Sequence, residues 1–276
     1  MSYKTIIVHV DHSRHAEQRI RQAARLAVAA GAHLIGSAFT GISRYATLAI
    51  DVDLAYALGP EMDAISRRNE AALAQFDALA AAEGVLTYER RLSDDDPAGG
   101  LALQARYADL LVVSQTDLEE PASSRLIGAL PEQVVLDGAR PVLIVPYAGA
   151  VERIGSHALV AWDGSVEASR AITGALPLLR SARRATLVEF HPAEAAGRQP
   201  GADMALYLAR HGVHCEVRCE AAPLRDGELL LSLAGDVQAD LIVMGAYGHT
   251  RLREIMLGGV SETMFASMTV PVLMAH

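Results

Sequence analysis

The chain repeats itself, and that repetition limits its fold more than any other feature. Lys4–Ser13 reads KTIIVHVDHS and Ser156–Ser165 reads SHALVAWDGS; each is a short apolar run closing on Asp, one residue, then Ser. Tyr107–Ser114 (YADLLVVS) is matched by Gln238–Gly245 (QADLIVMG), and the Pro-led run Arg140–Val145 (RPVLIV) by Val270–Met274 (VPVLM). Three blocks in one order mark a duplication. The separation between partners shrinks from Asp11/Asp163 to Asp109/Asp240, so the second copy is shorter. We expect two domains, at residues 1–148 and 155–276, joined near the Tyr-Ala-Gly-Ala that follows the first copy's last apolar run.

Within each copy, apolar runs of strand length alternate with helix-period segments. In the first, Thr5–Val10 reads as a strand and Ala16–Ala30 as a helix with Ile20, Ala23, Ala27 and Ala30 on one face, ended by Gly31. A strand follows at His33–Phe39, a long helix at Glu61–Ala82, a strand at Val85–Leu92, and a helix started by Asp96-Pro97. Strands at Leu110–Val113 and Val142–Val145 flank a short helix near Pro131–Leu136. The second copy offers strands near Ala158–Ala161, Thr186–Phe190, Val213–Cys219, Leu241–Met244 and Val270–Met274. Runs as apolar as Leu110–Val113 suit a sheet covered on both faces, and β/α alternation implies right-handed parallel crossovers. The expected class is α/β: two tandem open-sheet, doubly wound domains of five mainly parallel strands each, in the order 3-2-1-4-5. Ligands of such sheets lie beyond the carboxyl ends of the strands, at the switch point.

Composition narrows the partners. A net charge of -9 argues against a nucleic-acid binder and against an anionic membrane surface. The uncharged stretch Leu26–Ser43 is interrupted by Gly31, Gly36 and Gly41 and reads as helix end, turn and strand rather than a membrane span. The first ten residues do not resemble a signal peptide, and Cys215 and Cys219 read as two reduced thiols; a cytoplasmic location is expected. His9, His12 and His15 carry no spacing that demands a metal.

The chemistry-bearing segment is Gly245–Phe265, GAYGHTRLREIMLGGVSETMF. Gly245, Gly248, Gly258 and Gly259 allow the backbone to approach a ligand, and the helix opening near Gly259 presents free N–H groups to an anion. Arg251, His249 and Arg253 make the loop locally basic. This spacing resembles the G-x2-G-x9-G-(S/T) signature of ATP-binding universal stress proteins, and Asp163–Ser165 and the closing VPVLM strand are similar to that family too. The resemblance implies a stress-response protein that binds an adenine nucleotide, foremost ATP, with or without Mg. It places Asp163 at the nucleoside sugar, the backbone of Phe190 at adenine, and Gly245, Gly248, Gly258, Gly259, Val260 and Ser261 at the phosphates; Arg251, from the basic loop, is a further candidate there or, with Arg253, part of a solvated basic face near Glu254. The family's Ser/Thr after the third glycine is Gly259 here, which removes a hydroxyl donor. Asp163 could equally serve as a helix cap, alone or beside Ser165.

The first copy departs from the signature. Ser114 stands for Gly245 and Asp117 for Gly248, and the following loop carries Glu119, Glu120 and Pro121 with only Arg125 as a nearby base. An acidic loop repels phosphate, so this copy is expected to have a degenerate site. No Walker A loop, G-x-G-x-x-G turn or G-x-S-x-G elbow is present, so no catalytic residue is expected, slow ATP hydrolysis apart. The alternative is a protein-interaction module independent of nucleotide. The resemblance also implies pairing of the two copies within one chain, with Val142–Val145 and Val270–Met274 as candidate contacts; a homodimer is left open.

Overall fold

The computed structural model describes residues 2–45, 52–117, 119, 130–149, 151–190, 200–220, 227–248 and 259–276. It divides into two compact units, Ser2–Arg140 and Pro141–His276.

The first unit contains β1 (Thr5–His9), α1 (Ala16–Ala30), β2 (His33–Phe39), α2 (Val52–Ala82), β3 (Tyr88–Ser93), α3 (Pro97–Ala105), β4 (Leu110–Ser114) and α4 (Leu130–Asp137). Its strands lie in the order β3-β2-β1-β4, all parallel. Ile6, Ile7, Val8 and Leu110–Val113 are fully buried, as the unbroken apolar runs require of central strands. Ile20, Ala23 and Ala27 of α1 and Leu73, Phe76 and Ala80 of α2 are buried as the helical period indicates. Phe76 lies across Gly36, where a Cβ would come within 2.7 Å of the ring. Asp96 caps α3 by accepting from the Gly99 N–H at 3.2 Å.

Two boundaries differ from the sequence pattern. α2 continues upstream of Glu61 through Pro60, back to Val52. β3 starts at Tyr88, not Val85, because the chain leaves α2 through Gly84 (φ 83°) and Val85 donates back to the Ala80 carbonyl at 3.0 Å. Val85 thereby packs under the helix end while Leu86 is 97% exposed. The second unit repeats the device: Gly212 has φ 79°, Val213 donates to the Leu208 carbonyl at 2.9 Å, and the strand begins at Glu216.

The second unit contains β5 (Val142–Val145), β6 (His157–Trp162), α5 (Val166–Ser181), β7 (Arg184–Phe190), α6 (Pro200–Arg210), β8 (Glu216–Glu220), α7 (Gly227–Asp236), β9 (Leu241–Gly245), α8 (Val260–Ser267) and β10 (Val272–Ala275). Its second-copy strands run β8-β7-β6-β9-β10, the 3-2-1-4-5 order, and all are parallel. β5, the last strand of the first sequence copy, runs antiparallel on the far side of β10, with Leu143 opposite Leu273. Asp109 and Asp240 explain one repeated block. Each carboxylate receives two backbone N–H groups at the start of its copy's first strand: Lys4 and Thr5 (2.6 and 3.0 Å), and Ser156 and His157 (3.0 and 2.8 Å). Cys215 and Cys219 are free thiols. Among the described residues no helix is long and apolar enough to cross a membrane.

Candidate nucleotide site

Two chain segments meet beyond the carboxyl ends of β6 and β9, and a third carries the remaining described candidate residues. The first is the turn after β6. Asp163 is exposed, and its Oδ1 accepts the Ser165 N–H at 3.0 Å; Gly164 takes φ 79° between them. Ser165 is the N-cap of α5, its Oγ accepting the Ala168 N–H at 3.0 Å. The two readings of this block therefore separate by residue: Ser165 holds the helix, and Asp163 shapes the turn with a carboxylate open to solvent.

The second segment is the end of β9. A Cβ on Gly245 would sit 2.4 Å from the Ala168 nitrogen and 2.9 Å from the Glu167 Cβ, so the strand end lies directly on the first turn of α5. Real Cβ atoms are not found so close to backbone, and any larger residue would force the two apart. A Cβ on Gly248 would meet the Glu167 carboxylate (Oε2, 3.1 Å) and Ser165 (Cβ, 3.4 Å). Between these glycines the chain is held by Ala246, which donates to the Ala275 carbonyl at 2.9 Å and accepts from the His276 ring at 3.0 Å. Tyr247 takes a positive φ of 59° and stacks on Phe265 with ring centroids 6.4 Å apart.

The third segment is the start of α8. Gly259, with φ 108°, is its N-cap and supplies no side-chain cap, and among the described residues no side chain is seen to cap the first-turn N–H groups of Val260 and Ser261, the kind of groups that take an anion. Val260 and Ser261 are half-buried. Phe190 ends β7, buried at 4%, on the strand next to β6. Arg251 and Gly258, together with His249 and Arg253, lie outside the described residues. The sequence reading missed Glu167. Nothing in the spacing flags it, because its approach to Gly248 joins residues far apart in the chain.

The equivalent place in the first unit is filled by its own side chains. Asp11 Oδ1 accepts from Ser13 N–H (3.0 Å), Ser13 Oγ (2.6 Å) and Arg19 (2.9 Å). Arg19, 1% exposed, also donates to the His9 carbonyl and to Ser114 Oγ, each at 2.8 Å. Burial alone would raise the Asp11 pKa, but Arg19, His9 and Ser13 together hold it well below the usual carboxylate range. Asp117 is buried, paired with Arg14 and 2.7 Å from His15 Nε2; those contacts outweigh its burial and keep its pKa near 2. Arg19 and Arg14 are the cations that a reading of the loop alone overlooked. Their positions in the second copy are Ala171 and Val166. Gly128 lies outside the described residues, and among those described no His, Cys, Asp and Glu cluster could hold a metal.

The universal stress protein family model matches residues 2–146 and 202–276, leaving Asp163 and Phe190 outside the matched parts. The universal stress protein MJ0577 of Methanocaldococcus jannaschii is 41% identical over 46 residues, 17% of this chain and 28% of that protein, so the match spans well under half of its length. Among solved structures, a universal stress protein from Archaeoglobus fulgidus superposes with a TM-score of 0.73 at 18% identity, covering 98% of this chain and 94% of that one. A functionally unknown protein, PA1789 of Pseudomonas aeruginosa, gives 0.63 at 16% identity, covering 98% and 92%. Those two likenesses concern the fold, whereas the family model covers most of the chain on sequence: the protein belongs to the universal stress protein family.

Proposed function

We propose that this protein binds one adenine nucleotide, ATP foremost, in the second sequence copy (residues 155–276), and acts in a stress response without a catalytic step of its own. The observation that carries the reading is the convergence of Asp163, Gly245 and Gly248 at the carboxyl ends of β6 and β9, the place where doubly wound sheets take ligands. The start of α8 supports it, because its N-cap Gly259 offers no side chain and N–H groups left free at a helix start receive phosphate oxygens. Asp163 then accepts ribose hydroxyls, the Phe190 backbone meets adenine, and Gly245, Gly248, Gly258, Gly259, Val260 and Ser261 line the phosphates with Arg251 near them. Mg accompanies ATP if the triphosphate is the ligand.

The first copy (residues 1–148) is, in this reading, a degenerate site. Support comes from Arg19 and Arg14, which already give Asp11 and Asp117 the partners a ligand would supply. Pairing of the two copies within one chain belongs to the same proposal, supported by the antiparallel register of β5 on β10, and a cytoplasmic location is part of it. Titration calorimetry and thermal shift with ATP, ADP and AMP test the whole. One nucleotide should bind per chain, with a thermal stabilisation that Gly248→Val abolishes and Asp11→Ala leaves in place. Ligand at one hundred times Kd should stabilise by about 2.7 kcal/mol. Absence of any shift at millimolar nucleotide favours the second reading, an interaction module independent of nucleotide. The specific observation behind that reading is Gly259, which supplies no hydroxyl where the family signature has one.

A further inference from the structure

The carboxylate of Glu167 stands at the glycine turn. It projects from the first turn of α5, half-buried, with Oε2 only 3.1 Å from where a Cβ on Gly248 would be. The contact belongs to the fold, because the matching positions of the first copy, His15 and Asp117, also meet, at 2.7 Å. There a histidine faces an acid. In the second copy a carboxylate faces Gly248, which has no side chain to answer it, and among the described residues no cation pairs with it. A phosphate drawn to the turn by its N–H groups would therefore sit beside a fixed negative charge. Like charges a few ångströms apart repel even at water-like dielectric, and more strongly where water is excluded.

We propose that Glu167 is a specificity-determining residue, which sets the charge of ligand that the glycine turn of the second copy accepts. This rests on the nucleotide reading above. Glu167 penalises each added phosphate in the absence of a divalent cation, so it narrows the preference of the metal-free site for ATP over AMP and adenosine. Hydrogen-bond donors at the turn remain, but their attraction for a polyanion is opposed at its centre. Glu167 has a structural role too, as an acid in the first turn of a helix whose cap is Ser165. A structural role alone would change all ligands alike.

The test compares adenosine, AMP, ADP and ATP by calorimetry in EDTA, on the wild type and on Glu167→Gln, which keeps shape and loses charge. Removing the charge should tighten ATP by about fivefold or more, AMP less, and leave adenosine within about twofold. The ATP gain should shrink as salt rises, because added ions screen the pair. Glu167→Ala, which also shortens the side chain, should rank the ligands in the same order and guards against a folding defect peculiar to the amide. Equal changes for all four ligands, or no change for ATP, would overturn the role of Glu167 while leaving nucleotide binding intact. If neither protein binds any of the four, adenosine included, the nucleotide reading itself falls and this proposal with it.

Discussion

Asp11 and Asp163 hold matching places in the repeat but keep different company. Asp11 is answered by Arg19, Ser13 and His9, whereas Asp163 shapes a turn and faces solvent. Removing the buried Arg19 would strip a half-buried carboxylate of its cation and leave Ser114 and the His9 carbonyl without their donor. Arg19→Ala should destabilise the first unit by about 3–5 kcal/mol, measured by urea unfolding. His9 gives a second outcome, in pH. It is buried against Phe39, and burial outweighs neighbouring Asp11 to push its pKa down to about 4, with Arg19 adding to the shift. In the unfolded chain it takes a proton near pH 6.5, so between pH 6.5 and 4 the unfolded state binds more protons and stability falls as pH falls. The loss across that window should be on the order of 2–3 kcal/mol, and His9→Gln should flatten it. His157 is shifted downward in the same sense, by burial and then Arg184, so the slope should shrink without vanishing. Asp117 acts lower, its contribution present at neutral pH and lost as pH falls from the ordinary carboxylate range toward 2.

At the scale of elements, the sequence was most legible where one residue type has one local job. Asp96 before Pro97 starts α3, Gly31 ends α1 in a left-handed turn, and Ser165 caps α5. Ser165→Ala should cost about 1 kcal/mol of stability in the second unit, read from a denaturation midpoint, because the Ala168 N–H loses its acceptor. Asp163→Asn should differ in kind: the amide oxygen can still accept from Ser165, so stability should hold while nucleotide affinity drops about tenfold, the loss of a charge-assisted hydrogen bond. What the sequence hid were contacts between elements distant in the chain. Glu167 on α5 reaching Gly248 after β9, and Arg19 on α1 reaching Ser114 on β4, have no local pattern, because a single buried arginine inside a helix reads as a surface residue. The start of β3 was misjudged for a related reason. Val85 is apolar to pack a helix end, not to line a strand.

At the scale of the molecule, the repeat in the sequence and the compact units differ by one strand. The duplication ends the first copy after Val145, yet β5 falls in the unit that starts at Pro141, where its backbone pairs with β10. The apolar Pro-led runs are legible as strands from their composition, and the 3-2-1-4-5 order gives β10 its neighbour β9; the antiparallel register of β5 on β10 is not legible, since a fully buried strand has no polar face to fix it. The arrangement has a measurable consequence. Val272, Leu273 and Met274 are completely buried, with β9 on one side and β5 on the other. A fragment of residues 155–276 would leave β10 as an unpaired apolar edge, the kind that seeks another strand. A fragment of residues 141–276 keeps β5 in register on β10 and so covers that edge. The shorter fragment should unfold at lower denaturant, and Leu143→Asp in the longer one should reproduce that loss by placing a charge opposite Leu273. Equal denaturation midpoints for the two fragments would mean that β5 contributes nothing to the unit with which it is folded.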